Sequence, residues 1–213
     1  MALIHRTTMV PTKLDLLTRW LPDQPWYRAA GAPQLDRAGG FRLDDPAGEV
    51  GIEFMFVIDT SAGVTYHVPL SYRGAPLAGA GAALVGTAEH GVLGRRWIYD
   101  GTGDPVVVTQ LLALVQGQAQ AQAQSETDTP DHSVGRHPAR SGMLVPSGPA
   151  QVASTDRRTT LTVPVEAGTD PVLVQVVRIL DGEPDGAAAP GWVAADYRRP
   201  DRTPGRGRVI LVR

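Results

Sequence analysis

The densest run of groups able to do chemistry is Thr87-Ala-Glu-His-Gly-Val-Leu-Gly-Arg-Arg-Trp-Ile-Tyr-Asp-Gly. Glu89 beside His90 sets a carboxylate next to an imidazole, a combination able to move a proton, and Arg95, Arg96 and Asp100 follow in the same segment. His67 and Arg73 stand six residues apart, so on one strand they share a face and could line a common groove. Tyr66, Trp97 and Tyr99 add flat apolar surfaces on which sugars and other ring ligands rest. The expected ligand-binding set is Tyr66, His67, Arg73, Glu89, His90, Arg95, Trp97 and Asp100, with no residue assigned as catalytic. The same groups have a structural reading, because Arg–Asp and Glu–Arg pairs pin loops and aromatic rings complete cores.

Several chemistries lack their residues. Cysteine is absent, which excludes disulfides, thiolate nucleophiles and Cys-based zinc sites. The histidines His5, His67, His90, His132 and His137 show neither His-x-x-x-His nor His-Glu-x-x-His spacing, so no metal is expected. Gly79-Ala-Gly81 with Gly86 is only loosely glycine-rich and reads as a loop, and no phosphate-cradling motif follows a strand; no cofactor is expected. No Gly-x-Ser-x-Gly elbow is present either. Asp44-Asp45-Pro46 reads as a turn, and the arginine-rich C-terminal stretch, interleaved with Asp196 and Asp201, as a solvated tail.

Composition narrows the class further. Twenty basic against 22 acidic residues in 213 leave a net charge of −2, which argues against a nucleic-acid module held by phosphate contacts. With 42% apolar residues a core is available, yet no apolar run is long enough to span a bilayer. Met1-Ala-Leu-Ile-His-Arg-Thr-Thr lacks the apolar stretch of a secretion signal. The expectation is a soluble, cytoplasmic, loop-rich protein without membrane or nucleic-acid partners. Lys13 is the only lysine, so chemistry needing that side chain must use the N-terminal region.

Local patterns supply the elements that would position these groups. Thr12 can cap the N–H of Asp15 and open a helix that Pro22 ends, with Leu14, Leu17 and Leu21 on one stripe. A Gly/Pro-rich loop then reaches Pro46. Val50, Ile52, Phe54, Phe56 and Ile58 alternate, as do Val64, Tyr66, Val68, Leu70 and Tyr72, which predicts a hairpin. A five-residue loop, Asp59 to Gly63, would match the two apolar rows and set Glu49 opposite Arg73. Pro69 cannot donate to a ladder, so the second strand should have a free edge there. Asp104-Pro105 opens a second helix burying Val108, Leu111, Leu112 and Val115, and Gly117 can end it. Residues 118–148 read as a mobile linker. Strands are expected at Thr159–Val165, Val172–Leu180, Trp192–Tyr197 and Arg208–Val212.

The order Leu17-x-x-Trp20-Leu21, Gln24-Pro-Trp26-Tyr27, the Val50–Tyr72 hairpin, Gly94-Arg-Arg-Trp97-Ile-Tyr99-Asp100-Gly101 and the Asp104–Val115 helix resembles the N-terminal cap domain of actinobacterial maltokinases over about residues 12–117. The likeness is closer still to short stand-alone cap-like proteins. Maltokinases phosphorylate maltose with ATP on the route from trehalose to α-glucan, and their cap is a cystatin-like antiparallel sheet packed on helices ahead of a kinase N-lobe. Leu173-Val174-Gln175-Val176-Val177-Arg178 is similar to the strand that carries the nucleotide lysine in those kinases, with Gln175 at the lysine position. A neutral amide cannot replace the charge that a lysine offers the phosphates. The chain also ends at Arg213, before a catalytic loop would be expected.

The expected architecture is therefore α+β: a cystatin-like antiparallel sheet with packed helices in a cap-like domain (1–117), the linker (118–148), and a small mostly-β domain resembling a degenerate kinase N-lobe (149–213). The expected function is a non-catalytic accessory or interaction protein with a protein partner in trehalose, maltose and α-glucan metabolism. The alternatives are a carbohydrate or small-metabolite binding module with a sugar ligand, and an enzyme using Glu89 and His90.

Overall fold

The computed structural model describes residues 8–124, 126, 128–139, 144–166, 170–182 and 190–213; His5, among the histidines weighed above, lies outside the described residues. The chain runs β1 (Met9–Val10), α1 (Lys13–Trp20), β2 (Leu35–Leu43), β3 (Val50–Asp59), β4 (Val64–Arg73), β5 (Leu84–His90), β6 (Gly94–Asp100), α2 (Pro105–Gln116), β7 (Gln122–Ala123), β8 (Gly135–His137), β9 (Gln151–Ser154), β10 (Arg158–Val163), β11 (Val172–Val177), β12 (Gly191–Arg198) and β13 (Pro204–Val212). Both helices form where their caps predict. Thr12 and Asp15 close a reciprocal capping box on α1. Asp104 accepts from Val106 N–H at the start of α2, and Gly117 ends it at φ 81°. No helix of the described residues is long and apolar enough to cross a membrane.

The strands form two antiparallel sheets, in the orders β1-β5-β6-β4-β3-β2-β7 and β8-β12-β13-β11-β10-β9. The central hairpin of the first sheet corrects the expected register. Asp59 pairs with Val64, Phe56 with His67 and Phe54 with Pro69, so residues 60–63 make a four-residue loop. The loop is closed by Asp59, whose carboxylate accepts from Ser61 N–H and Ser61 Oγ, and by Gly63 at φ 66°. Val50, not Glu49, stands opposite Arg73. The five-residue expectation assumed one buried face and one wet face. Here both faces are buried: Ile52, Phe54, Phe56 and Ile58 belong to one core, Met55, Val57, Tyr66, Val68 and Leu70 to another. Hydrophobic alternation then carries no information about register.

The segment expected as a Gly/Pro-rich loop holds β2, which pairs with β3 through a bulge at Arg37/Gly39. Gly40, at φ 139°, passes so close to the backbone that a Cβ there would run into Phe54 O. The polar segment 87–101 folds as the β5–β6 hairpin, with Glu89 opposite Arg95. Along β4, Leu70–Arg73 pair with β6, and that ladder stops one residue short of Pro69.

The second sheet contains the four strands expected in the C-terminal part. Residues expected to form a linker supply β7 to the first sheet and β8 to the second. Beyond β11 the chain continues onto the first sheet: His67 N–H donates to Arg178 O (2.9 Å), Leu180 N–H donates to Thr65 O (2.8 Å), and Ile179 bridges Tyr66. One core accordingly joins Phe41, Phe54 and Phe56 to Leu112 and Val115 of α2 and to Leu161, Val174 and Ile210 of the second sheet. On the opposite side of the first sheet, Leu16, Leu17, Leu21 and Trp26 cover Met55, Val57 and Val68.

Because neighbouring residues of β3 point into different cores, Phe54→Ala and Met55→Ala should each destabilise the protein, by about 3–5 and 2–5 kcal/mol. Urea unfolding of the two variants checks this; a near-neutral result for either would mean that its face is not sealed.

Candidate functional site

The most demanding side chain in the protein is Arg178, which is fully buried. Its Nη2 donates to Asp100 Oδ2 at 2.5 Å and to Thr102 Oγ1 at 3.3 Å, and its Nε donates to Thr159 Oγ1 at 2.8 Å. The guanidinium lies 4.9 Å from the Trp26 ring centroid, a cation–π contact in a water-poor setting. A charge withdrawn from water in this way is tolerated only when it is paired and hydrogen-bonded. Asp100 accepts from Thr102 N–H and Thr102 Oγ as well, which fixes the turn between β6 and α2.

One turn further on, Asp104 takes a two-point contact from Arg73, Nε at 2.7 Å and Nη2 at 2.6 Å. Burial pushes the Asp104 carboxyl upward, but the hydrogen bonds and charge of Arg73 outweigh it and hold the group below the usual aspartate range. A cleft of about 600 Å³ opens beside these two acids. It lies between the Leu77–Ala83 stretch, the Thr102–Pro105 turn and Ala150, Val152 and Ser154, with Trp20 and Gln24 also in its wall.

A second cluster surrounds Glu53, buried in β3. Lys13 Nζ and Tyr72 OH contact Oε2 at 2.5 and 2.6 Å, and Gln124 Nε2 donates to Oε1 at 2.7 Å. Burial raises the Glu53 pKa, while the attraction and hydrogen bond of Lys13 more than reverse it. The same environment pushes the Tyr72 phenol well above its ordinary value, through burial and then the neighbouring carboxylate. The single lysine thus fastens α1 to the sheet.

The eight residues singled out from sequence are not gathered at one surface. Tyr66 is buried against Trp26 and Tyr27, its hydroxyl accepting from Arg28 N–H. His67 is fully buried between Phe54 and Phe56, with Nδ1 3.0 Å from Val177 O. The groove expected from His67 and Arg73 therefore does not form, since the second sheet covers His67 while Arg73 reaches to Asp104. Glu89 and Arg95 form a 2.9 Å cross-strand pair on the surface. His90 Nδ1 accepts from Val92 and Leu93 N–H and shapes the β5–β6 turn. Trp97 is half-buried opposite Thr87 and Arg73. Of the eight, only Asp100 lines the cleft. Sequence reading passed over Arg178 as a site residue, and it treated Asp104 as a helix cap alone. The signal was present: an arginine, the one charged residue in the run Val172–Leu180. Among the described residues no three His, Asp or Glu side chains converge as a metal site would require.

Two measurements follow from this geometry. Asp100→Ala strands the Arg178 charge in the core and should cost about 3–5 kcal/mol in urea unfolding; a loss below 1 kcal/mol would show that water reaches the guanidinium. Burial first, and then the Arg178 charge, lower the His67 pKa from 6.5 to about 3, so the folded protein holds a neutral ring. The unfolded chain binds a proton there below about pH 6.5, so stability is complete above that pH and falls as pH drops from 6.5 toward 3, by up to about 1.4 kcal/mol per pH unit. His67→Gln should flatten this slope between pH 6.5 and 4.5, and an unchanged slope would assign it to other groups.

Comparison with known proteins finds a similarity over part of the first sheet. Residues 20–104, which carry β2 to β6, match the family described as the maltokinase N-terminal cap domain. No match was found among curated proteins. The hairpin, the bulged β2 and the turn held by Asp100 and Asp104 all fall within the matched segment, so the similarity to the maltokinase N-terminal cap domain covers the elements that build this site.

Proposed function

We propose that the protein is a non-catalytic accessory or interaction protein of maltose and α-glucan metabolism, acting in the cytoplasm on a protein partner. In this reading the first sheet is a cystatin-like cap and the second a degenerate kinase N-lobe. The observation that carries it is the state of the polar groups on β11 and its continuation. Gln175, at the position where the kinase resemblance calls for a lysine, pairs with Thr160 and Leu211 and offers no charge. The nearest cation along the strand, Arg178, is sealed against Asp100 and Thr159. A nucleotide phosphate needs a cation that it can reach. The imidazoles weighed above for proton transfer are also engaged: His67 lies in the core, and His90 holds a turn.

The reading is tested by incubating the purified protein with ATP, Mg²⁺ and maltose. No maltose 1-phosphate should form above a protein-free control. Product at a rate proportional to protein concentration, abolished by Gln175→Ala, would overturn the proposal.

A further inference from the structure

β9 ends the second sheet, and its only strand partner among the described residues is β10. All four of its residues are exposed, Val152 by 47%. An edge strand presents unpaired N–H and C=O groups, which proteins usually blunt by brevity, charge, proline or a bulge. The other sheet ends follow that rule, β1 and β7 having two residues and β8 three. β9, Gln151-Val-Ala-Ser, carries no charge and no proline.

The hydrogen-bond phase shows which groups are open. Thr155 N–H donates to Arg158 O at 2.8 Å. By the two-residue alternation of an antiparallel pair, Gln151 and Ala153 then face β10, and the N–H and C=O of Val152 and Ser154 point away from the sheet. The same two residues line the cleft, whose other walls include Leu77, Ala80, Ala83 and Val108, and Ser154 Oγ lies 2.9 Å from Thr159 Oγ1. The acids of the cleft, Asp100 and Asp104, are each neutralised by an arginine. The site thus combines a directional backbone edge with small apolar walls and no free charge.

We infer that β9 and this cleft form a docking edge for an extended, uncharged segment of a partner protein, which adds a strand beside β9 and sets alternate apolar side chains in the cleft. The inference rests on the reading of the chain as an interaction protein and names the surface that would serve it. Open backbone groups select a strand over a helix, and a neutral wall disfavours a charged segment, whose desolvation would go uncompensated.

A displayed library of random heptapeptides panned on the full chain tests this. The recovered peptides should alternate apolar and polar residues and should slow hydrogen exchange at the Val152 and Ser154 amides. Val152→Pro removes an outward donor without touching the β10 ladder, and should weaken a recovered peptide at least tenfold. Val152→Lys, which sets a charge on the outward edge at a side chain 47% exposed, should do the same. The inference is overturned if no peptide is recovered, or if recovered peptides bind both variants as they bind the parent. It is overturned equally if light scattering shows two copies associating through β9, or if maltose alone slows the same amides. Such a failure removes the β9 edge and leaves the non-catalytic reading to the maltose phosphorylation assay.

Discussion

A guanidinium buried where two sheets meet is the constraint that organises the rest of the molecule. Arg178 has to find partners in three separate segments: Trp26 after α1, Asp100 and Thr102 where β6 meets the turn before α2, and Thr159 on β10. Desolvating such a charge costs several kcal/mol unless it is paired, and here Nε and Nη2 are bonded while the buried Nη1 has no hydrogen-bond partner among the described residues. The first sheet, the α2 turn and the second sheet are therefore locked into one arrangement. A core of aliphatic side chains alone would tolerate small slides between the layers, because apolar contacts are not directional.

The lock works because β4 divides its edge between two partners. Leu70–Arg73 pair with β6, Thr65–His67 take up the chain leaving β11, and Pro69 separates the two stretches. A residue with an N–H at position 69 would present an unmet donor between the ladders, whereas proline has none to satisfy. The two positions after β11 that bond to β4 flank the Ile179 bridge, so the arginine enters the junction with its backbone already fixed.

Features set by neighbours in sequence were legible without coordinates. Thr12 with Asp15, and Asp104 with Pro105 and Gly117, specify their helices locally. The four C-terminal strands were visible as apolar runs between turn residues. Features set by what lies above and below were not legible. The hairpin register failed because Phe54 and Met55 are both buried, and β2 was hidden by the glycines of its own bulge. Of the candidate site, the sequence showed Asp100 but not Arg178, 78 residues away. His67 looked like a groove residue because its strand was expected to have a wet face, and the second sheet occupies that face.

The shared core has a consequence for how this segment can travel between proteins. Grafted alone into another chain, the 20–104 segment would arrive with Phe41, Phe54 and Phe56 bare on one side, since α2 and the second sheet are their cover here. Any host must therefore bring its own lid of matching shape, and the identity of that lid, more than the segment itself, would be free to drift from one host to the next.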